Sequence, residues 1–422
     1  MFARCLLIFL FLAAPQTANA QVAVADSGDT GWMIICALLI LFAALPGLLL
    51  RHAGLVNVRS ALSAAMQGIA VAAGASLVWA IAGYSLSYAP GSAWLGGGAN
   101  LFLANLGSLR EGLTVPESAF VLFQMALALL AACLLPGAVA ERARFGWMAG
   151  LAPLWLLIVY APVVHAVWGG GWLAEFGVMD FAGSLVIHTS AGFSALALSV
   201  ILGRRRTPGT ASHAPLLSLA GGALVWIGWA GMVGGWALGA TDSAATAILN
   251  MHFAACAGAL TWMLIDRIAT GYVSATGAVS GAVVALVAIS ASAPLIGTGG
   301  AMLIGLISAL LCRTGKAMLA NRIDDPADVF LLHGIGGVIG TLLLPLFVQP
   351  LLGGVGYAAN ISISTAMLSQ LSGIAIVALW SMAGTAIAAL LLSVMLPMRI
   401  SAQQAASGLD QLDHGQQGWD FR

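Results

Sequence analysis

The sequence predicts an all-α polytopic membrane fold, on three observations. Of its 422 residues 61% are hydrophobic and 7% charged, where an ordinary soluble domain carries about 25% charge. Mean hydropathy is +1.00. Apolar runs of bilayer-spanning length, near 20 residues each, recur between short polar breaks from residue 32 to residue 396. Cytosolic enzymes and disordered scaffolds are thereby excluded. The 15 basic and 15 acidic groups cancel, so no basic excess points to a nucleic-acid partner.

Residues 1–20 read as a secretory signal peptide: a basic start at Arg4, an apolar stretch, then Ala18-Asn-Ala20 as a small-x-small cleavage site. Eleven spans follow in the transmembrane domain, 21–400. They are 32–50, 60–88, 118–135, 147–164, 181–202, 215–238, 244–265, 273–293, 302–312, 329–348 and 368–396. The ninth is short unless 297–301 belong to it. A polar tail, 401–422, ends the chain. With the mature N-terminus outside, every Lys and Arg except Arg4 and Arg110 falls on the cytoplasmic side, which predicts a multi-pass protein of a bacterial inner membrane with its C-terminus in the cytoplasm. Cys36, Cys133, Cys256 and Cys312 lie inside apolar spans without CxxC spacing and read as packing residues.

One internal repetition stands out. Asp180-Phe-Ala-Gly-Ser-Leu-Val-Ile-His188 is followed four residues on by Gly192, and Asp325-Pro-Ala-Asp-Val-Phe-Leu-Leu-His333 is followed four residues on by Gly337. The two copies open spans five and ten from opposite sides, as an inverted five-plus-five repeat would require. The halves run over about 31–205 and 213–348, and 368–397 is an extra helix. Such symmetry brings His188 and His333 together at mid-membrane. A charge there costs roughly 2.5–3.5 kcal/mol on insertion scales, so neutral imidazoles sharing a proton are expected. Neither His has an HExxH or carboxylate neighbour at ligand spacing, so no metal and no other cofactor is expected. Asp180 reads either as a helix cap or as an acid favouring a cation in a vestibule. Trp168 reads either as a membrane-interface anchor or as a ring face for a cation. The runs Gly96-Gly-Gly98 and Gly169-Gly-Gly171 lie in loops and read as turns.

Several strings carry a family resemblance: Phe123-Gln124, Gly137-Ala-Val-Ala-Glu141-Arg142-Ala-Arg-Phe145, His165-Ala-Val-Trp168-Gly-Gly-Gly171, Asp180-Phe-Ala-Gly183, Asp324-Asp-Pro-Ala-Asp328-Val-Phe-Leu-Leu-His333-Gly334, and in the tail Gly408-Leu-Asp410 with His414-Gly415. They resemble the Amt branch of the Amt/Rh/Mep ammonium transporters across essentially the whole mature chain. The resemblance implies an eleven-helix protomer, a homotrimer with one pore per subunit, and ammonium or ammonia as substrate. It also implies a tail that docks beneath the trimer and meets a PII-type signal protein, although the usual acidic stretch after the last helix is missing. Carried over, Trp168 is the outer-site aromatic, Asp180 the acid that organises that site, His188 and His333 the pore pair, and Trp229 a pore-lining indole.

The departures from the family pattern are equally specific. Where two phenylalanines usually gate the pore, this chain has Leu127 and Met232. The outer-site serine falls on Trp236, replacing a hydroxyl acceptor with an indole that donates only through its nitrogen. Trp236 then either completes a Trp168/Trp236 cage for a cation or plugs the vestibule. Arg51 and His52 stand in place of aromatic residues and are expected to snorkel to the membrane boundary. Ser290 keeps a hydroxyl where the family has threonine. The leading functional expectation is ammonium transport with no enzyme chemistry. The alternatives are a weakly conducting or non-conducting ammonium receptor, and a pore for a related solute such as methylammonium.

Overall fold

The structure is a computed structural model that describes residues 24–206, 212–320, 322–358 and 361–419; the signal-peptide expectation for 1–20 lies outside them. Among the described residues ten helices are long and apolar enough to cross a membrane. In chain order, with one shorter apolar helix, the rods are α1 (Ser27–Leu55), α2 (Val58–Tyr88), α3 (Glu117–Val139), α4 (Phe145–Glu175), α5 (Ser184–Leu202), α6 (Pro215–Gly235), α7 (Asp242–Thr270), the 15-residue α8 (Ala275–Ile289), α9 (Thr298–Leu319), α10 (Phe330–Phe347) and α11 (Ile363–Ser393). The described residues contain isolated β-bridges but no strand. Helix α9 takes in the disputed 297–301 segment from Thr298 onward and runs on past Cys312.

Helix starts follow local chemistry. Asp26, Thr241, Ser274 and Ser362 accept hydrogen bonds from first-turn N–H groups of α1, α7, α8 and α11, satisfying donors that a dry environment would leave orphaned. Five wide, π-type turns interrupt the rods: Ala43–Gly47 around Pro46, Trp79–Gly83, Leu156–Tyr160 just after Pro153, Ser184–Thr189 and Phe330–Ile335. Such turns concentrate at functional sites. The last two carry His188 and His333.

The inverted relation predicted for α5 and α10 is visible atom by atom. Oδ2 of Asp180 accepts from Leu185 N at 3.0 Å, and Oδ2 of Asp325 accepts from Phe330 N at 2.7 Å. Both bonds join an acid to the residue five positions on. A Cβ on Gly192 would land on the Gly334 backbone, and one on Gly337 would meet Ser184 and Thr189. The glycine four residues beyond each histidine thus packs against the start of the opposite broken helix, which lets the two cross in contact. Helix α6 packs on α1 in the same manner through Gly221, Gly228 and Gly231.

At the end opposite Trp168 an ion cluster ties three loops together. Arg205 binds Glu141 (2.7 Å) and Asp324 (2.9 Å), and Arg142, 1% exposed, binds Asp324 at 3.2 Å. Burial works to raise the Asp324 carboxyl, but Arg205 and Arg142 outweigh it and hold the group below its usual 3.8. A group depressed in this way adds stability above its unfolded pKa, and that stability is lost as pH falls through the lower folded value. The cluster therefore holds at neutral pH. Asp324→Ala leaves the Arg142 guanidinium buried without its acid and is expected to cost about 3–5 kcal/mol, read as a lower midpoint of thermal unfolding in detergent.

The described part of the tail, 401–419, is docked against the helices. After α12 (Ala402–Ser407) and α13 (Leu409–His414), Asp410 accepts from Leu62 N (3.2 Å) and Ser63 N (2.8 Å), capping the helical start of α2. The Trp419 indole donates to His213 Nε2 at 3.2 Å.

Candidate functional site

Helix α6 organises the site. Trp229, Met232 and Trp236 stand at i, i+3 and i+7 and share one face, spanning on the order of 10 Å of helix axis. Trp229 meets His188 of α5, Trp236 meets Trp168 of α4 and Phe123 of α3, and Met232 lies between them on the helix.

At the level of Trp229 the imidazoles of His188 and His333 approach with their Nδ1 atoms 3.2 Å apart, so one ring donates and the other accepts. His188 is 0% and His333 2% exposed. The Trp229 ring lies nearly parallel to His188, 18° between planes at 4.9 Å, and its Nε1 donates to Ser290 Oγ at 2.9 Å. Ser290 in turn donates to Leu286 O. The hydroxyl retained at 290 thus fixes the indole that supports the histidine. Nε2 of His188 has no hydrogen-bond partner, leaving one polar atom free in otherwise apolar surroundings. Met232, one turn on, and Leu127 on α3 are both fully buried.

At the Trp236 level the two tryptophans touch. Trp168 and Trp236 have ring centroids 4.2 Å apart at 48°, and Phe123 packs edge-on against Trp236 at 6.0 Å. A cation held between two ring faces needs a gap, since each attractive contact places it over a ring. Rings in contact leave none. Nε1 of Trp236 is buried without a partner.

Asp180 sits behind Trp168. Its backbone carbonyl accepts from Trp168 Nε1 at 2.8 Å, while its carboxylate accepts from Gly183 N (3.1 Å), Leu185 N (3.0 Å) and Val186 N (2.8 Å). Both carboxylate oxygens are therefore committed to the start of α5. Gly183 has φ +106°, a conformation a side chain would strain. Gln370 on α11 clamps the preceding residue, donating to Met179 O and accepting from Met179 N. Nothing in the local sequence had singled out Gln370; a buried amide with backbone partners becomes visible only in three dimensions.

Arg51 and His52 do not snorkel. They are 3% and 2% exposed, turned inward at the lower end of α1. Arg51 donates to Ala327 O at 3.3 and 3.4 Å, and His52 faces Gly137 of α3.

Fold and site together define a multi-pass helical membrane protein in which two helices with π-type first turns cross at a buried imidazole pair. The Ammonium Transporter Family model matches residues 31–419. The ammonium transporter of Bacillus subtilis (strain 168) is 37% identical over 400 residues, covering 93% of this chain and 98% of its own. Ammonium transporter Amt1 of Archaeoglobus fulgidus is 33% identical, covering 92% and 98%. Among solved structures, one described as a sensor Amt protein superposes with a TM-score of 0.86 at 27% identity over 92% of this chain and 98% of that one. Candida albicans Mep2 gives 0.82 at 31% identity, over 90% and 87%. The chain belongs to the Ammonium Transporter Family.

Proposed function

We propose that each protomer moves ammonium across a bacterial inner membrane by admitting the ion past Trp168 and Trp236, taking its proton onto the His188/His333 pair and passing ammonia on toward the cytoplasm. The observation that carries this reading is the buried Nδ1 to Nδ1 contact of the histidines at 3.2 Å, because a shared proton there supplies a polar step in a lumen lined by Leu127, Met232 and Trp229. The Trp168 end faces outward and the Arg142 end faces the cytoplasm, in keeping with the clustering of basic residues. Eleven spans, a homotrimer and a PII-type partner at the docked tail follow the family resemblance.

The touching tryptophans make the outer vestibule a closed door in this state, and Trp236 must swing away for substrate to reach the column. Trp236→Ser removes the door. Uptake of radiolabelled methylammonium by cells lacking other ammonium transporters is expected to rise at least fivefold in this variant, with the wild type above background. The same closed pair supports a second reading, a receptor that binds ammonium and conducts little, and a sensor Amt protein is among the structural neighbours. Uptake at background in both chains, together with ammonium binding by calorimetry, would establish the receptor instead.

A further inference from the structure

On the cytoplasmic side of the histidine pair lie two buried residues that the ammonium-pore reading does not use, Arg51 and His52. Along α6, Gly221 lies eight residues before Trp229, about 12 Å down the helix axis, and its Cα packs against the Arg51 backbone. Along α3, Gly137 lies ten residues beyond Leu127, about 15 Å on, and the His52 ring fills the space its missing side chain leaves. Two independent helices thus place Arg51 and His52 on the cytoplasmic side of the imidazole pair. Ala327, whose carbonyl Arg51 binds, lies six residues before His333. Both side chains are close enough to His333 to act on it electrostatically.

The Arg51 charge is permanent, since guanidinium does not deprotonate in proteins. It is also uncompensated at short range: among the described residues no carboxylate lies within 4.0 Å of it, and its Nε has no partner. Asp325 and Asp328 act on it from farther away. Asp325 spends one oxygen on Phe330 N, and Asp328 is paired with Lys316 at 2.5 Å. Nε2 of His52 is buried without a partner. A buried cation with spare donors, held by a single carbonyl, is costly to maintain. Stability does not call for it here.

We propose that Arg51, seated beside His52, is the selectivity element of the inner mouth: its fixed positive charge bars ammonium and hydronium ions and lets only neutral ammonia leave the column. The inference rests on the ammonium-pore reading. In a narrow, low-dielectric passage like charges repel strongly, so a cation arriving from His333 meets a barrier that a neutral amine does not. Substrate crosses without net charge, and the proton left on the imidazole pair returns to the outer side.

The test uses the purified full chain in proteoliposomes and compares, in the same preparation, charge moved after an ammonium jump on a solid-supported membrane with uptake of radiolabelled methylammonium. Wild type, Arg51→Met and Arg51→Lys are measured, each also in the Trp236→Ser background so that a closed outer door does not mask the inner one. The charge-to-uptake ratio is expected near zero in the wild type and in Arg51→Lys, and at least tenfold higher in Arg51→Met. A merely structural role would lower uptake and leave the ratio unchanged. One charge per substrate in the wild type, or equal ratios in the wild type and Arg51→Met, overturns the gate while leaving the pore standing. Absence of uptake above empty liposomes in every chain and both backgrounds overturns the pore and the gate together. Should Arg51→Met fail to fold, Arg51→Gln carries the same prediction.

Discussion

Asp180→Ala is expected to produce the largest loss of stability of any single substitution at the outer end of the column. It removes the acceptor from Gly183 N, Leu185 N and Val186 N at once, at a buried position, and each buried N–H left without a partner costs about 1–3 kcal/mol. The start of α5 would then lose the geometry that aims His188 at His333. The Asp180 backbone carbonyl, which receives the Trp168 indole, would shift with it. Asp180→Asn keeps an acceptor oxygen and is expected to lose less than half as much. Thermal unfolding in detergent orders the three chains as wild type, Asn, Ala. An acid present chiefly to attract a cation would give a different pattern, with Asn and Ala equally stable and both weakened only in ammonium uptake.

Much of this arrangement is written in local sequence. Spans follow from apolar run length, and the relation of α5 to α10 follows from an acid, a histidine and a glycine at matching offsets. Those offsets are legible because they encode geometry: the acid caps the N–H five residues on, and the glycine clears the crossing. What escapes is whatever a distant helix decides. Arg51 and His52 sit at the end of an apolar run, where a long polar side chain ordinarily reaches the boundary. Here Gly137 and Gly221, on two other helices, open the space that draws them inward. The tail reads as polar, and its docking site is set far away: Asp410 caps the first full turn of α2 nearly 350 residues earlier in the chain. Trp236 was visible as a departure from the family pattern, but the choice between cage and plug depended on a ring separation that no sequence expresses. Helix α9 outran its apolar stretch because Arg313 and Lys316 near its end are paired with Asp266 and Asp328.

The double substitution His188→Ala/His333→Ala is expected to reduce methylammonium uptake at least tenfold, to near the level of empty liposomes. With both imidazoles gone the column keeps Leu127, Met232 and Trp229 but has no proton acceptor between the outer vestibule and Arg51. An ammonium ion entering such a passage would have to remain charged, at a cost of roughly 2.5–3.5 kcal/mol at mid-membrane, and would then meet the guanidinium. The single changes should not be additive, because each leaves the partner ring with an unmatched Nδ1 in a dry setting. His188→Ala should be the more damaging of the two, since it also strips the stacked face from Trp229, whose indole keeps its hydrogen bond to Ser290. Uptake measured for both single variants and the double, beside thermal unfolding to confirm that each chain is folded, separates loss of the proton relay from loss of the scaffold. Unchanged uptake in a folded double variant would mean that the substrate does not surrender its proton to this pair.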